Sequence, residues 1–137
     1  MIVDRSDVSE WFAEYLSAFG ACGRGERETA SLLEYYGVPL LVSTNDGFAA
    51  LTSSDEVVAM LQQQVDGMRA ASYGRTEVLE SEVTVLNATS ALYHVTLSRQ
   101  TSDGREVSRL TATYLVTDGQ VGRRFSLLAV AARTDEG

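Results

Sequence analysis

The last third of the chain reads as three consecutive strands, and that run constrains the fold more than any other feature. Ser90 to Gln100, Arg105 to Thr117 and Val121 to Ala132 are rich in Val, Thr, Tyr, Leu and Ala. The β-branched and aromatic members suit a pleated, half-buried surface. Ser102-Asp103-Gly104 punctuates the first gap and Asp118-Gly119 the second. Both are turn sequences, because Asp and Gly tolerate positive φ. Short connections join antiparallel neighbours, so this third predicts a meander. Three helical patterns precede it. Helices first and an antiparallel sheet afterwards is an α+β order.

The first helix is predicted over Val8 to Phe19, where Val8, Trp11, Phe12, Tyr15, Leu16 and Phe19 recur at helical spacing. Asp7 with Glu10 reads as its cap, and Gly20, Gly23 and Gly25 as its end. A second, shorter helix is predicted over Glu28 to Tyr36, closed by Gly37 and Pro39. Leu40 to Thr44 and Phe48 to Leu51 flank Asn45-Asp46-Gly47, a short hairpin. Ser53-Ser54-Asp55-Glu56 is a capping-box sequence opening a third helix to Ala70, with Val57, Val58, Leu61, Val65 and Met68 as its apolar stripe. Thr76 to Leu86 alternates again at period two, with Leu79, Ser81, Val83 and Val85 on one face. No segment repeats and no linker divides the chain, so residues 1–137 are expected to form one domain.

The final strand is apolar on both faces. Phe125, Leu127, Ala129 and Ala131 share one phase, and Leu128, Val130 and Ala132 share the other. One face of a single antiparallel layer ordinarily meets water. The pattern therefore predicts helices on one face and a partner over part of the second. A second copy of the chain is the simplest partner, giving a homodimer through the sheet face that includes Phe125 to Ala132. The alternative is a strand that is simply central in a curled sheet.

Charge and composition exclude several functions. The net charge is −8, and it resides in residues 1–68, which hold eleven acids and three arginines. Residues 69–137 balance eight against eight. Such a distribution repels polyanions, so no nucleic-acid partner is expected. No apolar run approaches a membrane helix, so no membrane partner is expected either. The acidic start MIVDRSDVSEW is unlike a secretory signal, and the single Cys22 forms no internal disulfide. Both features point to a cytoplasmic location. Lysine is absent, which removes Schiff-base chemistry.

Four stretches together resemble the nuclear-transport-factor-2-like superfamily, in its bacterial polyketide-cyclase-like (SnoaL-like) branch. They are SEWFAEYLSAFG, LLEYYGVPLLVSTNDG, SSDEVVAMLQQQV and TSALYHVTLSRQTSDGREVSRLTATYLVTDG. The similarity lies in order and pattern over nearly the whole chain. The aromatic that commonly precedes the last strand is replaced by Arg123 or Arg124. The resemblance implies a cystatin-like cone, in which three N-terminal helices pack on a curled antiparallel sheet and the open end takes a small apolar ligand. Members include isomerases, dehydratases, epoxide hydrolases and polyketide cyclases, and also dimeric modules without catalysis. Fold alone assigns no reaction among these.

The residues themselves are sparing with chemistry. Tyr15 resembles the phenol donor of the isomerases. Their carboxylate base should fall near Leu41 to Thr44, where this chain has none, and the central strands Tyr93 to Ser98 and Leu110 to Val116 hold no second acid. His94, the sole histidine, is either a general base paired with Tyr15 or a hydrogen-bonded structural residue at the core or a subunit contact. Cys22 follows a helix C-terminus, where the dipole disfavours a thiolate. One His and one Cys make no zinc site, and no metal or other cofactor is implied. Trp11, Tyr15, Tyr36, Met60, Tyr93 and Tyr114, with Tyr35 and Met68 beside them, either line an apolar pocket or fill the core. The sequence supports a binding module, leaves catalysis open, and keeps a non-catalytic dimeric module as a further possibility.

Overall fold

The computed structural model describes residues 4–133 and, among them, the side chains of residues 4–131. The first three residues of the acidic start, and the Ala132 side chain assigned to the second face of the last strand, lie outside them. Helix α1 spans Arg5–Gly23, followed by a 3-10 segment at Thr29–Glu34. Strands β1 (Tyr36–Thr44) and β2 (Gly47–Leu51) lead into α2 (Ser54–Ala70). Then come β3 (Tyr73–Asn87), β4 (Ser90–Thr101), β5 (Glu106–Gly119) and β6 (Gly122–Arg133). The six strands form one sheet in the order β2-β1-β6-β5-β4-β3. Neighbours are antiparallel except β1 and β6, which run parallel. The predicted meander is present, and β1 closes onto its last strand.

Two long helices stand where three were expected. Leu32 and Tyr36 are buried as the short helical pattern suggested, but the segment is a single 3-10 stretch and Tyr36 already begins β1. Gly37, read as a helix end, lies inside that strand. Its neighbourhood explains the residue, since a Cβ there would sit 3.1 Å from the Phe125 carbonyl oxygen.

Helix α1 is longer than predicted at both ends. Its N-cap is Asp4, whose Oδ1 accepts the Asp7 backbone N–H at 3.0 Å. Asp7 sits in the first turn, where an acid suits the helix dipole. Gly20 lies inside the helix, whereas Gly23 is its last residue and Gly25, at φ +79°, follows the Arg24 cap. A Cβ at Gly23 would meet Met68 Cε at 2.5 Å and Tyr73 at 2.9 Å. Glycine there lets α1 approach α2 and β3 closely. The capping box of α2 is as predicted: Ser53 Oγ accepts the Glu56 N–H and Glu56 Oε1 accepts the Ser53 N–H, each at 3.2 Å.

Both helices pack on the concave face of the sheet. Val8, Phe12, Tyr15 and Phe19 of α1 and Val57, Leu61, Val65 and Met68 of α2 join one core with Tyr93, Val95, Leu97, Ala112, Tyr114, Val116 and Phe125. Bulges decide which residues face it. Leu115 opposes Leu127 but Val116 opposes Phe125, so Ser126 is an extra residue in β6. An inserted residue reverses the alternation. The expected phases of the last strand are therefore corrected: Phe125, Leu128 and Val130 point to the helices, while Leu127, Ala129 and Ala131 point to the convex side. On edge strand β3 a register shift leaves Leu79 unpaired, so it does not share the face of Ser81, Val83 and Val85, which oppose Val95, Tyr93 and Ala91. Of these Val83 is buried, while Val85, near the strand's end, is exposed.

Arg123 ties the β5–β6 turn to α1. Its guanidinium grips Asp118 through Nε at 2.7 Å and Nη2 at 3.0 Å, and reaches Asp7 Oδ2 at 3.0 Å. The hydrogen bond from Arg123 holds the Asp118 carboxyl down at about 2. Arg123 is thus an electrostatic clasp.

Candidate functional site

One end of the concave face is open. There the C-terminal half of α1, the outer turn of α2, and β1, β4, β5 and β6 enclose a cavity of about 460 Å³. Ligand pockets commonly run ~300–1,000 Å³. Phe19, Val42, Met60, Leu61, Leu110, Leu128 and Val130 supply its apolar wall. Tyr15, Tyr36 and Tyr114 bring hydroxyls, and Arg99, Gln63, Gln64, Thr44, Asn45 and Asp46 complete the lining.

The phenols form a buried cluster. Tyr15 Oη and Tyr36 Oη are hydrogen-bonded to each other. Only one of the two can donate within the pair, so the other keeps a hydrogen to offer elsewhere. Burial raises all three phenols above their ordinary value, and for Tyr15 the neighbouring phenols Tyr114 and Tyr36 add to the rise. They stay protonated at neutral pH and act as donors. The Arg99 charge opposes the shift at Tyr36 and Tyr114, so its field reaches the hydroxyl end of the cavity.

Arg99 is the residue that pattern reading missed. It follows Ala91, Tyr93, Val95 and Leu97 on the inward phase of β4, where a fifth apolar side chain would continue the run. Its guanidinium carbon lies 5.4 Å from the Phe19 ring centroid, and Nη1 donates to Gln64 Oε1 at 2.9 Å. An arginine on the apolar phase of a strand was the available signal.

The predicted site residues divide. Tyr15, Tyr36, Met60 and Tyr114 line the cavity. Trp11 and Tyr93 do not. Trp11 packs 4.8 Å from Phe125 and 5.5 Å from Tyr35, and Tyr93 stacks on Phe12 at 4.1 Å. Both fill the closed end of the cone. Among their neighbours in that reading, Tyr35 and Met68 are also core residues. His94 is not brought to Tyr15. It is exposed on the convex face, opposite Glu82 and Thr113 in register, and its Nδ1 is 2.7 Å from Thr113 Oγ1. The period-two alternation that buries Tyr93 and Val95 turns His94 outward. Cys22 is buried, and burial pushes its thiol up. Asp46 is the one carboxylate among the described residues lining the cavity, and it sits on the exposed β1–β2 turn.

No helix among the described residues is long and apolar enough to cross a membrane. No curated protein matches the sequence. Solved structures resemble the chain over nearly its full length. A domain of unknown function with a cystatin-like fold from Nostoc punctiforme superposes with a TM-score of 0.70 at 22% identity, covering 98% of this chain and 82% of that one. An NTF2-like protein with a cystatin-like fold from Novosphingobium aromaticivorans gives 0.68 at 17% identity, with coverage of 98% and 84%. A putative calcium/calmodulin-dependent protein kinase II association domain from Xanthomonas campestris gives 0.71 at 9% identity, with coverage of 98% and 91%. These likenesses show the fold: a cystatin-like, NTF2-like α+β architecture. Residues 5–133 match the family described as NTF2-like protein (DUF6841). The chain is a member of that family.

Proposed function

We infer that the protein binds a small, largely apolar molecule in the open end of its cone and works as a homodimer. The observation that carries the binding reading is the cavity of about 460 Å³, walled by aliphatic side chains and floored by the hydrogen-bonded phenols. An apolar wall drives entry by removing ligand surface from water, and a few donors orient what enters. Isomerase-type proton abstraction is not part of this reading. It needs a carboxylate in a dry pocket, and Asp46 is on a solvent-facing turn.

Dimerisation is supported by the convex face. Leu41, Leu127, Leu115 and Leu92 align directly across β1, β6, β5 and β4. None of the four is buried within the protomer. Ala129 and Thr113 extend this strip, and His94 lies beside it. A second copy laid face to face would cover the row with its own.

Titration with the neutral dye N-phenylnaphthylamine tests the pocket. Saturable fluorescence is expected in the native protein, with at least about a tenfold loss of affinity in Val130→Trp, whose ring occupies the cavity. An absence of binding, or binding that Val130→Trp leaves alone, would count against the reading. Light scattering tests the dimer, and a monomer at high concentration would exclude it.

A further inference from the structure

We propose that the cavity takes a ligand with an apolar body and a single carboxylate, the carboxylate being held by Arg99. This rests on the binding reading above and names the chemical class of what binds.

The argument starts from the electrostatic position of Arg99. A guanidinium offers five N–H donors and cannot lose its charge. Among the described residues the guanidinium makes one hydrogen bond, to Gln64 Oε1 at 2.9 Å, and lies beside the Phe19 ring. Among the described residues no carboxylate lies within 4.0 Å of it, although other arginines of the chain are paired: Arg24, Arg27, Arg75, Arg105, Arg109 and Arg123. A half-buried cation against an aromatic ring, with no carboxylate within 4.0 Å among the described residues, sits at the wall of the cavity. Partial desolvation makes that arrangement unfavourable until an anion arrives.

The rest of the lining limits the anion. Besides Asp46 on the rim, the other polar groups are the phenols, the amides of Asn45, Gln63 and Gln64, and the Thr44 hydroxyl, which hydrogen-bond neutral groups. One guanidinium matches one planar carboxylate through two parallel hydrogen bonds. A phosphate dianion would find a single cation, with Asp46 on the rim repelling its second charge. Two hydrogen bonds among Tyr15, Tyr36 and Tyr114 leave one phenol hydrogen of the cluster for a second oxygen on the ligand. The cavity volume suits a body of one or two rings.

The experiment is calorimetric titration of the full chain with matched acids and alcohols: benzoate against benzyl alcohol, naphthoate against naphthalenemethanol, decanoate against decanol. In at least one pair the native protein is expected to prefer the acid by about tenfold or more, as charge-assisted bonds exceed neutral ones. That preference is expected to weaken as salt is raised. Arg99→Gln is expected to cost the acid at least about tenfold more than it costs the alcohol. Equal affinity for acid and alcohol across the pairs, or equal losses in Arg99→Gln, overturns this proposal and leaves the binding reading standing. Binding of none of the six, and of the neutral dye either, overturns both. The native comparison holds whatever Arg99→Gln does to folding.

Discussion

The two ends of the cone share helix α1 and strands β4 and β6, with opposite outcomes. At the closed end Phe12, Tyr93, Phe125 and Trp11 interlock, with Phe12 lying flat on Tyr93 at 4.1 Å and edge-on to Phe125 at 6.0 Å. At the open end α1, β5 and β6 present Tyr15, Phe19, Leu110, Leu128 and Val130 around a cavity of about 460 Å³. One end is a core and the other a pocket, though each follows the same apolar alternation. The difference teaches that inward pattern sets which residues can meet, and their summed volume sets whether they do. It also places chemistry: the phenol pair and Arg99 stand only where space was left.

Truncation breaks the comparison most sharply at the closed end. Phe125 is fully buried against five other aromatic rings. Phe125→Ala is expected to cost about 3–5 kcal/mol, measured by urea unfolding. A cost near that of an open-end truncation would mean that the closed end is not packed as described.

At the open end Tyr15→Phe removes one hydroxyl and leaves Tyr36 without its partner. The expected cost is about 1–3 kcal/mol if the Tyr36 hydroxyl stays dry. A cost near zero would show that water from the cavity replaces the bond, which sharpens the distinction between the ends.

The clasp beside the closed end predicts a pH dependence. Asp118 is held at about 2, below its ordinary 3.8, by the hydrogen bond from Arg123. A depressed carboxyl stabilises the fold above its unfolded value and loses that contribution as pH falls through the folded one. About 1–2 kcal/mol is expected to disappear between about pH 5 and pH 2. Asp118→Asn should flatten that slope in acid titrations followed by circular dichroism, and an unchanged slope would remove Asp118 from the account.

The smallest effect on the fold is expected outside the cone. Leu127→Arg on the convex face should change protomer stability by less than about 1 kcal/mol, because its side chain can stay in water. It should nevertheless shift light scattering toward the monomer if two copies meet there. An unaltered dimer would move the contact to another surface.

Much of the fold was legible in the chain. The turn sequences at Asn45-Asp46-Gly47 and Ser102-Asp103-Gly104 fall at the joins of paired strands, and the Ser53–Glu56 box starts α2, whereas Asp118-Gly119 ends β5 and the turn follows at Gln120-Val121. These are local signals, decided by a few neighbouring residues. Less of the site was legible. Tyr15, Tyr36, Met60 and Tyr114 reach the cavity, but Trp11 and Tyr93 carry the same apolar periodicity and fill the core instead. Helical and strand periodicity report direction and not depth. Ser126 hides a bulge that no residue type announces, and it reversed the faces assigned to β6. Arg99 passed unremarked because charged residues are ordinarily read as surface.

By itself the sequence determined the order of the two long helices, the hairpin and the meander, the capping box of α2, and the placing of His94 and Tyr93 on opposite faces of one strand. Those follow from backbone geometry over a few residues, where period, capping and φ preferences act locally. The tertiary structure alone decided that β1 closes on β6, that Gly23 is a packing residue, that one end of the cone stays open, and that Arg99 stands beside Phe19 and Gln64 within reach of the tyrosines. Each depends on residues far apart in the chain filling, or failing to fill, a shared volume, and no one-dimensional pattern carries that sum.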